Sequence, residues 1–193
     1  MLFNKGRTVF ISGSAYEYGS FGDLGRPFVK DLTKTLLKND FRIISGFGLG
    51  VGNSVLEGAL DEVYHRKKEK ISDHLQVYPF PSSARTGNIR DCYRTEMISQ
   101  AGVVIFLFGN KLEDIAIREA NGMLKEFEIA RSHNAKLIPV GASGYVAERL
   151  WLEVRLRDDE DFDSREKFEL YEQLGTAYTR PERLIELMIQ LAK

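Results

Sequence analysis

Residues 45–53 read Ser-Gly-Phe-Gly-Leu-Gly-Val-Gly-Asn, with a glycine at every second position from Gly46 to Gly52. The mainly apolar residues 41–44 precede this segment, and residues 55–60 follow it with helical periodicity. Glycines between a strand and a helix let the backbone come close to a ligand. The first turn of a helix also offers unpaired N–H groups and a partial positive charge. The segment therefore predicts a strand-to-helix loop that contacts a phosphate-bearing, nucleotide-like ligand.

Apolar runs that predict buried strands occur at residues 8–12, 41–45, 75–78, 103–108 and 136–140. Segments with apolar residues at helical spacing separate most of these runs, at residues 28–37, 55–63 and 116–130. This alternation predicts an α/β fold, a Rossmann-like parallel sheet with right-handed crossovers and helices on both faces. Ligands of such sheets lie beyond the carboxyl ends of the strands.

The last third of the chain predicts closing helices at residues 147–156, 165–174 and 181–191, with a solvated acidic turn at residues 157–163. No repeat, linker or low-complexity segment divides the sequence, so we expect one domain over residues 1–193. The predicted elements reach close to both ends. This favours a domain excised from a longer chain.

Composition restricts the class of protein. The chain has 193 residues, 43% hydrophobic and 28% charged, with a formal net charge of −1. That charge gives no reason to expect nucleic acid or an anionic membrane as partner. The single cysteine, Cys92, excludes an internal disulfide framework. Because neither a signal peptide nor an apolar run of about 18–20 residues is present, we expect a cytoplasmic protein.

Two glycine- and serine-bearing loops follow the first two predicted strands, so they should face one crevice. The second loop is not a dinucleotide fingerprint, which would follow the first strand, and it lacks the Gly-Lys-Ser/Thr of a P-loop. Close packing of helix on strand is the alternative for these glycines, and a serine-capped turn is the alternative for the first loop. The candidate ligand contacts on the two loops are Ser12, Gly13, Ser14, Gly46, Gly48, Gly50 and Asn53.

Basic side chains supply candidate phosphate contacts. Arg94 lies in a predicted short helix at residues 91–97, after a long loop at residues 79–90 that carries Arg85 and Arg90. An arginine can grip phosphate with paired donors. We expect Arg94 to do so, and the roles of Arg85 and Arg90 stay open.

The segment after the fourth strand adds Gly109, Asn110 and Lys111, of which Lys111 could offer a point charge. Glu126 and Glu128 follow on a predicted helix, two positions apart, so only one of them can point to a shared site. A carboxylate there would accept ribose hydroxyls. The three histidines are scattered without metal-ligand spacing. We therefore expect no metal, no cofactor and no catalytic triad.

The Ser12-Gly13-Ser14 turn, the Gly46–Gly50 loop and the late helical glutamate together resemble the SLOG superfamily. This Rossmann-like group includes the cytokinin-activating phosphoribohydrolases. The resemblance covers about residues 7–140. It extends to the whole chain for the regulatory SLOG domains of Thoeris antiphage defence effectors.

That resemblance implies a sensor domain, not an enzyme. Its ligand would be a cyclic ADP-ribose isomer made by a TIR-domain protein. Binding would activate an N-terminal sirtuin-like, NAD-cleaving domain in the same chain, and the protein would be a homo-oligomer. Arg94 and Lys111 would meet the phosphates and Glu126 a ribose hydroxyl.

Two other functions stay open. In the enzymatic branch, Arg94 and Glu126 would act at the ribosyl bond of a nucleoside monophosphate. The Pro-Gly-Gly-x-Gly-Thr-x-x-Glu motif of those enzymes is missing, however, and Gly109-Asn110-Lys111 stands in the corresponding region. The third possibility is an interaction module that binds no small molecule.

Overall fold

The computed structural model describes residues 4–66, 70–80, 87–156, 164–176 and 180–193. Its strands are β1 (Thr8–Ser14), β2 (Arg42–Ser45), β3 (Leu75–Val77), β4 (Val103–Phe108), β5 (Asn110–Glu113), β6 (Ala116–Glu119) and β7 (Lys136–Pro139). Five of them form a parallel sheet in the order β3-β2-β1-β4-β7, and β5 pairs with β6 in a separate antiparallel hairpin.

The helices are α1 (Gly25–Lys38), α2 (Val51–His65), α3 (Ile71–His74), α4 (Gly87–Ile98), α5 (Asn121–Ser132), α6 (Tyr145–Leu156), α7 (Arg165–Gln173) and α8 (Pro181–Ala192). Helix α1 packs on α2, and α4 packs on α5. The connections through α1 and α2 step from β1 towards β3, whereas those through α4 and α5 step in the opposite direction, from β3 to β4 and from there to β7. Right-handed connections therefore place the two pairs on opposite faces of the sheet. The predicted α/β class with helices on both faces is confirmed.

Strand β4 is an interior strand of the sheet, between β1 and β7, and it is buried along its whole length. All six of its residues, Val103–Phe108, are buried, since helices cover both faces. The closing helix α8 buries the stripe that its sequence predicts, and it packs on α1, α7 and β7. Pro181 occupies its first turn, where no backbone N–H is required.

The structure corrects the predicted helix at residues 116–130. Ala116 lies in β6, and α5 begins only at Asn121. Phe108 and Gly109 adopt positive φ angles of 58° and 110°, which turn the chain out of β4 and into the hairpin. The two strands of the hairpin then pair in the antiparallel register Leu112↔Ile117. The prediction was wrong because Ala116 and Ala120 are four positions apart, a spacing that fits a helix although a strand precedes α5 here.

Smaller differences concern element ends. Strand β1 extends two residues beyond the predicted end to Ser14, which pairs with Phe108 of β4. Helix α4 begins at Gly87, inside the segment predicted as a loop. The predicted acidic turn at residues 157–163 lies outside the described residues.

Strand β1 lies between β2 and β4, at the point where the order of the parallel strands reverses. Helices on opposite faces diverge at such a point and leave a crevice beyond the carboxyl ends of the strands. Residues 12–14 end β1 at this crevice, beside the glycine-rich loop that leaves β2.

Candidate ligand-binding site

A cavity of about 640 Å³ occupies this crevice. Its walls come from the end of β1, the glycine-rich loop, α4, β5 and the first turns of α5. Eight of the predicted site residues line it: Ser12, Gly13, Ser14, Gly46, Gly48, Arg94, Lys111 and Glu126. The structure thus brings together residues from five separate parts of the sequence, and their contact with a ligand stays a prediction.

Glu126 supplies a buried carboxylate at the cavity. Its residue is only 8% exposed, and its Oε2 accepts a hydrogen bond of 2.6 Å from the Ser12 hydroxyl. Arg94 Nε lies 3.4 Å from the other carboxylate oxygen, Oε1. Burial raises the pKa of Glu126, and the contacts with Ser12 and Arg94 oppose that rise. Glu128, by contrast, is exposed and pairs with Arg131, so only one of the two glutamates faces the site, as predicted.

Arg94 is fixed on several sides. Its Nη1 donates to Asp91 Oδ1 at 2.8 Å, and its guanidinium lies over the ring of Phe80, with Cζ 5.0 Å from the ring centroid. A Cβ placed on Gly122 would lie 3.0 Å from Arg94 Nη2, so the glycine leaves room for that end of the guanidinium. The side chain is 12% exposed. It is therefore a nearly buried cation with one end at the cavity wall.

The cavity is locally cationic although the chain carries a net charge of −1. Among the described residues, the lining includes Arg90, Arg94, Lys111 and Lys125 but only one carboxylate, that of Glu126. Lys111 Nζ lies 3.2 Å from Glu113 Oε2, and Lys125 Nζ lies 2.9 Å from Asp91 Oδ2. We refer to Asp91, Arg94, Lys125 and Glu126 as the charged cluster. Such a lining favours an anionic ligand.

The glycines of the two loops also have a packing role. A Cβ on Gly48 would lie 2.0 Å from the carbonyl oxygen of Gly13, and one on Gly50 would lie 2.1 Å from that of Ala15. The Ala15 N–H donates to Leu49 O at 2.7 Å, so the loops are in direct backbone contact. The predicted proximity of the two loops is therefore observed, and it depends on the absence of side chains at these positions.

Four predicted contacts, Gly50, Asn53, Gly109 and Asn110, do not belong to the lining that the structure describes. Asn53 is exposed on α2. Gly109 has no room for a side chain, because a Cβ there would lie 2.5 Å from Val146 Cβ. Arg85 lies outside the described residues.

Asn110 shapes the first loop. Its side chain is buried, and its Oδ1 accepts hydrogen bonds from the backbone N–H groups of Tyr16 and Glu17 at 2.9 and 3.1 Å. Its Nδ2 donates to Glu17 O at 2.9 Å. The side-chain amide therefore provides hydrogen-bond partners for backbone groups of the loop that follows β1.

Sequence reasoning missed several lining residues: Phe47, Pro79, Phe80, Asn121, Gly122, Met123 and Lys125. Phe47 lies between two of the glycines and has a positive φ of 56°, and its partly exposed ring adds an apolar wall. Its position between the glycines could have identified it as a lining residue from the sequence alone. No local sequence signal could have identified Phe80, because only the tertiary structure places the residues after β3 beside α4.

Two further findings apply to the described part of the chain. It contains no group of three or more His, Cys, Asp and Glu residues that could hold a metal ion. None of its helices is long and apolar enough to cross a membrane.

The fold and the position of the cavity define a Rossmann-like domain of the SLOG type. Residues 3–193 match the sequence model of STALD, the Sir2- and TIR-associating SLOG family, and the chain belongs to that family. The resemblance drawn from the two loops and the late glutamate is thereby confirmed.

Among its relatives are three proteins named NAD(+) hydrolase ThsA. The protein from Bacillus cereus (strain MSX-D12) is 38% identical over 193 residues, which cover 98% of this chain and 40% of the relative. The one from Cytobacillus dafuensis is 44% identical over 152 residues, 75% of this chain and 31% of the relative. The one from Acinetobacter baumannii (strain 532279) is 36% identical over 202 residues, 97% of this chain and 42% of the relative. The chain therefore spans less than half the length of these relatives.

Solved structures share the fold at low sequence identity. TM1055 superposes with a TM-score of 0.52 at 18% identity and covers 76% of this chain and 81% of its own. DNA processing protein A from Helicobacter pylori superposes with a TM-score of 0.54 at 15% identity, and the match covers 98% of this chain and 83% of that protein's chain. At these identities the likeness is one of fold alone.

Proposed function

We propose that this chain is a sensor domain that binds a cyclic ADP-ribose isomer and thereby activates an NAD-hydrolysing domain linked to it in antiphage defence. The observation that carries the proposal is the cationic cavity, whose lining contains Arg94, Lys111 and the buried carboxylate of Glu126. Family membership and the ThsA relatives support the link to an NAD-hydrolysing effector.

The chemistry of the cavity fits such a ligand. A cyclic ADP-ribose carries two phosphates, two riboses and a purine. Arg94 and Lys111 are suited to the phosphates, since charged donors form the stronger hydrogen bonds to phosphate oxygens. Glu126 can accept a ribose hydroxyl, and Phe47 offers an apolar surface to the purine. The volume of about 640 Å³ lies in the range of small-molecule sites.

Activation requires that the ligand prefer one state of the assembly over another. Couplings between sites of this kind are typically about 1–3 kcal/mol. The effector would be the remaining part of a ThsA-like chain, acting in cis, and the assembly would be a homo-oligomer. Neither nucleic acid nor a membrane is part of the proposal.

Titration calorimetry with cyclic ADP-ribose isomers tests the binding step. Arg94→Ala should weaken binding more than tenfold, because a nearly buried phosphate donor is lost. Arg131→Ala is the matched control: it removes an arginine of α5 that pairs with Glu128 and does not belong to the described lining. Binding to that variant should stay within about twofold of the original.

The absence of heat with every isomer at millimolar concentration, from a protein with a normal melting transition, would reject the proposal. Equal affinity of Arg94→Ala and the unaltered chain would reject Arg94 as a phosphate contact.

A phosphoribohydrolase is the second candidate, favoured by one observation: Arg94 and Glu126 do meet at the cavity, 3.4 Å apart. Incubation with AMP and related nucleotides distinguishes it. Steady release of free base that Glu126→Ala abolishes would favour the enzyme. If no small molecule binds or reacts, an interaction module becomes the better description.

A further inference from the structure

Asp91 connects two cations of the cavity without lining the cavity itself. Its Oδ1 accepts from Arg94 Nη1 at 2.8 Å, and its Oδ2 accepts from Lys125 Nζ at 2.9 Å. Arg94 belongs to α4 and Lys125 to α5, so one carboxylate joins the two helices at the cavity rim. The hydrogen bond from Lys125 is the main cause that lowers the pKa of Asp91, and Arg94 adds to it against the effect of burial.

The guanidinium of Arg94 is held at three places. Asp91 holds Nη1, Glu126 lies 3.4 Å from Nε, and Phe80 lies against one face. The third nitrogen, Nη2, lies beside Gly122, which lines the cavity. Of the two carboxylates, Asp91 makes the shorter contact and is the one shared with Lys125.

We propose that Asp91 is a positioning residue, which holds Arg94 and Lys125 ready as a pair of donors for the phosphates of the ligand. The inference rests on the proposed function. Long cationic side chains lose rotamer freedom when they bind an anion, and a cation that is already fixed loses less. Asp91 therefore increases affinity for phosphate although its own charge repels it.

Two possible roles of Asp91 predict opposite changes in ligand affinity when its carboxylate is removed, which makes the inference testable. If Asp91 only contributed a negative charge near the cavity, its removal would strengthen binding of an anion. If it positions the cations, its removal weakens binding. Asp91→Ala should therefore bind cyclic ADP-ribose isomers about five- to tenfold more weakly in calorimetry.

Asp91→Asn should give an intermediate affinity, because the amide oxygen can still accept from one cation whereas its NH₂ group cannot accept from the other. Glu128→Gln is the matched control, since it removes one negative charge of α5 outside the described lining. It should leave affinity within about twofold. In a Lys125→Met background, the loss caused by Asp91→Ala should be smaller, because one of the two positioned cations is already absent.

A measurement without ligand separates this inference from the proposed function. In ¹⁵N NMR spectra, the Nε–H signal of Arg94 should be sharp in the unaltered chain, broadened in Asp91→Ala and partly restored in Asp91→Asn. An unchanged Arg94 signal in Asp91→Ala overturns the inference whether or not any isomer binds. Equal or tighter binding by Asp91→Ala also overturns it. Failure of the unaltered chain to bind, with the signal changes as expected, rejects only the proposed ligand.

Discussion

The glycine-rich loop at residues 45–53 and the charged cluster both contribute residues to the lining of the cavity, but they are built in opposite ways. The loop is contiguous in sequence, and its glycines bring backbone against backbone, as with Gly48 and the Gly13 carbonyl oxygen. The charged cluster is drawn from two helices, α4 and α5, and depends on hydrogen bonds between side chains. The loop shapes one wall of the cavity, and the cluster places paired charged side chains at another.

The comparison shows that the glycines of residues 45–53 serve mainly to let two loops pack closely together. Gly50 does not belong to the described lining, and its Cβ position is closed by Ala15 O. The charged side chains of the described lining lie outside this loop. Substitutions in the loop should therefore act on stability, whereas substitutions in the cluster should act on binding and on the pH dependence of the free energy of unfolding.

The largest expected effect is that of Gly48→Ala. The new Cβ would lie 2.0 Å from the Gly13 carbonyl oxygen, so the two loops must separate. Overpacking of this kind costs about 3 kcal/mol. Urea-induced unfolding should show the free energy of unfolding lowered by that amount.

Gly46→Ala is the matched control, because its Cβ would make an ordinary contact at 3.4 Å with the flexible Met97 side chain. It should change the free energy of unfolding by less than about 1 kcal/mol. Equal losses in the two variants would mean that the loops are not in the close contact described.

Asn110→Ala should have the next largest effect. It removes an amide that satisfies the N–H groups of Tyr16 and Glu17 and the carbonyl of Glu17. Leaving such groups without a partner costs about 2 kcal/mol. Asn53→Ala, at an exposed position of α2, should stay within about 0.5 kcal/mol. If the two variants unfold at the same urea concentration, Asn110 does not support the first loop.

The smallest expected effect is a pH dependence that comes from Glu126. Burial raises the pKa of its carboxyl above the ordinary value of 4.5, so the folded state binds this proton more tightly than the unfolded state. Stability from this group is complete below pH 4.5 and is lost as the pH rises through the higher, folded-state pKa.

Glu126→Gln removes this dependence. Relative to the unaltered chain, the variant should therefore gain free energy of unfolding as the pH is raised from 4 to 8, by less than the loss in Gly48→Ala. Urea unfolding of both proteins at the two pH values measures the difference. A constant difference between them would show that Glu126 does not titrate in the folded state above its ordinary range.

Much of the fold could be predicted because periodicity is a local signal. The run at residues 103–108 matches β4 residue for residue. The hairpin of β5 and β6 was missed, because it begins with left-handed backbone at Phe108 and Gly109 that no pattern of apolar residues reports. Such a turn is stabilised by its surroundings, including the Ser143 hydroxyl that accepts a hydrogen bond from the Phe108 N–H.

The candidate site shows the same division between residues that local sequence patterns identify and residues that only the tertiary structure brings in. The sequence alone determined the loops, Arg94 and Glu126 as candidates, because glycine spacing and residue chemistry are local properties. Only the tertiary structure decided that Asn110 and Gly50 support the loops, and that Asp91 and Lys125 join Arg94 at the cavity. Hydrogen bonds between residues more than 30 positions apart, as between Asp91 and Lys125, depend on how α4 and α5 pack, and no local pattern records that packing.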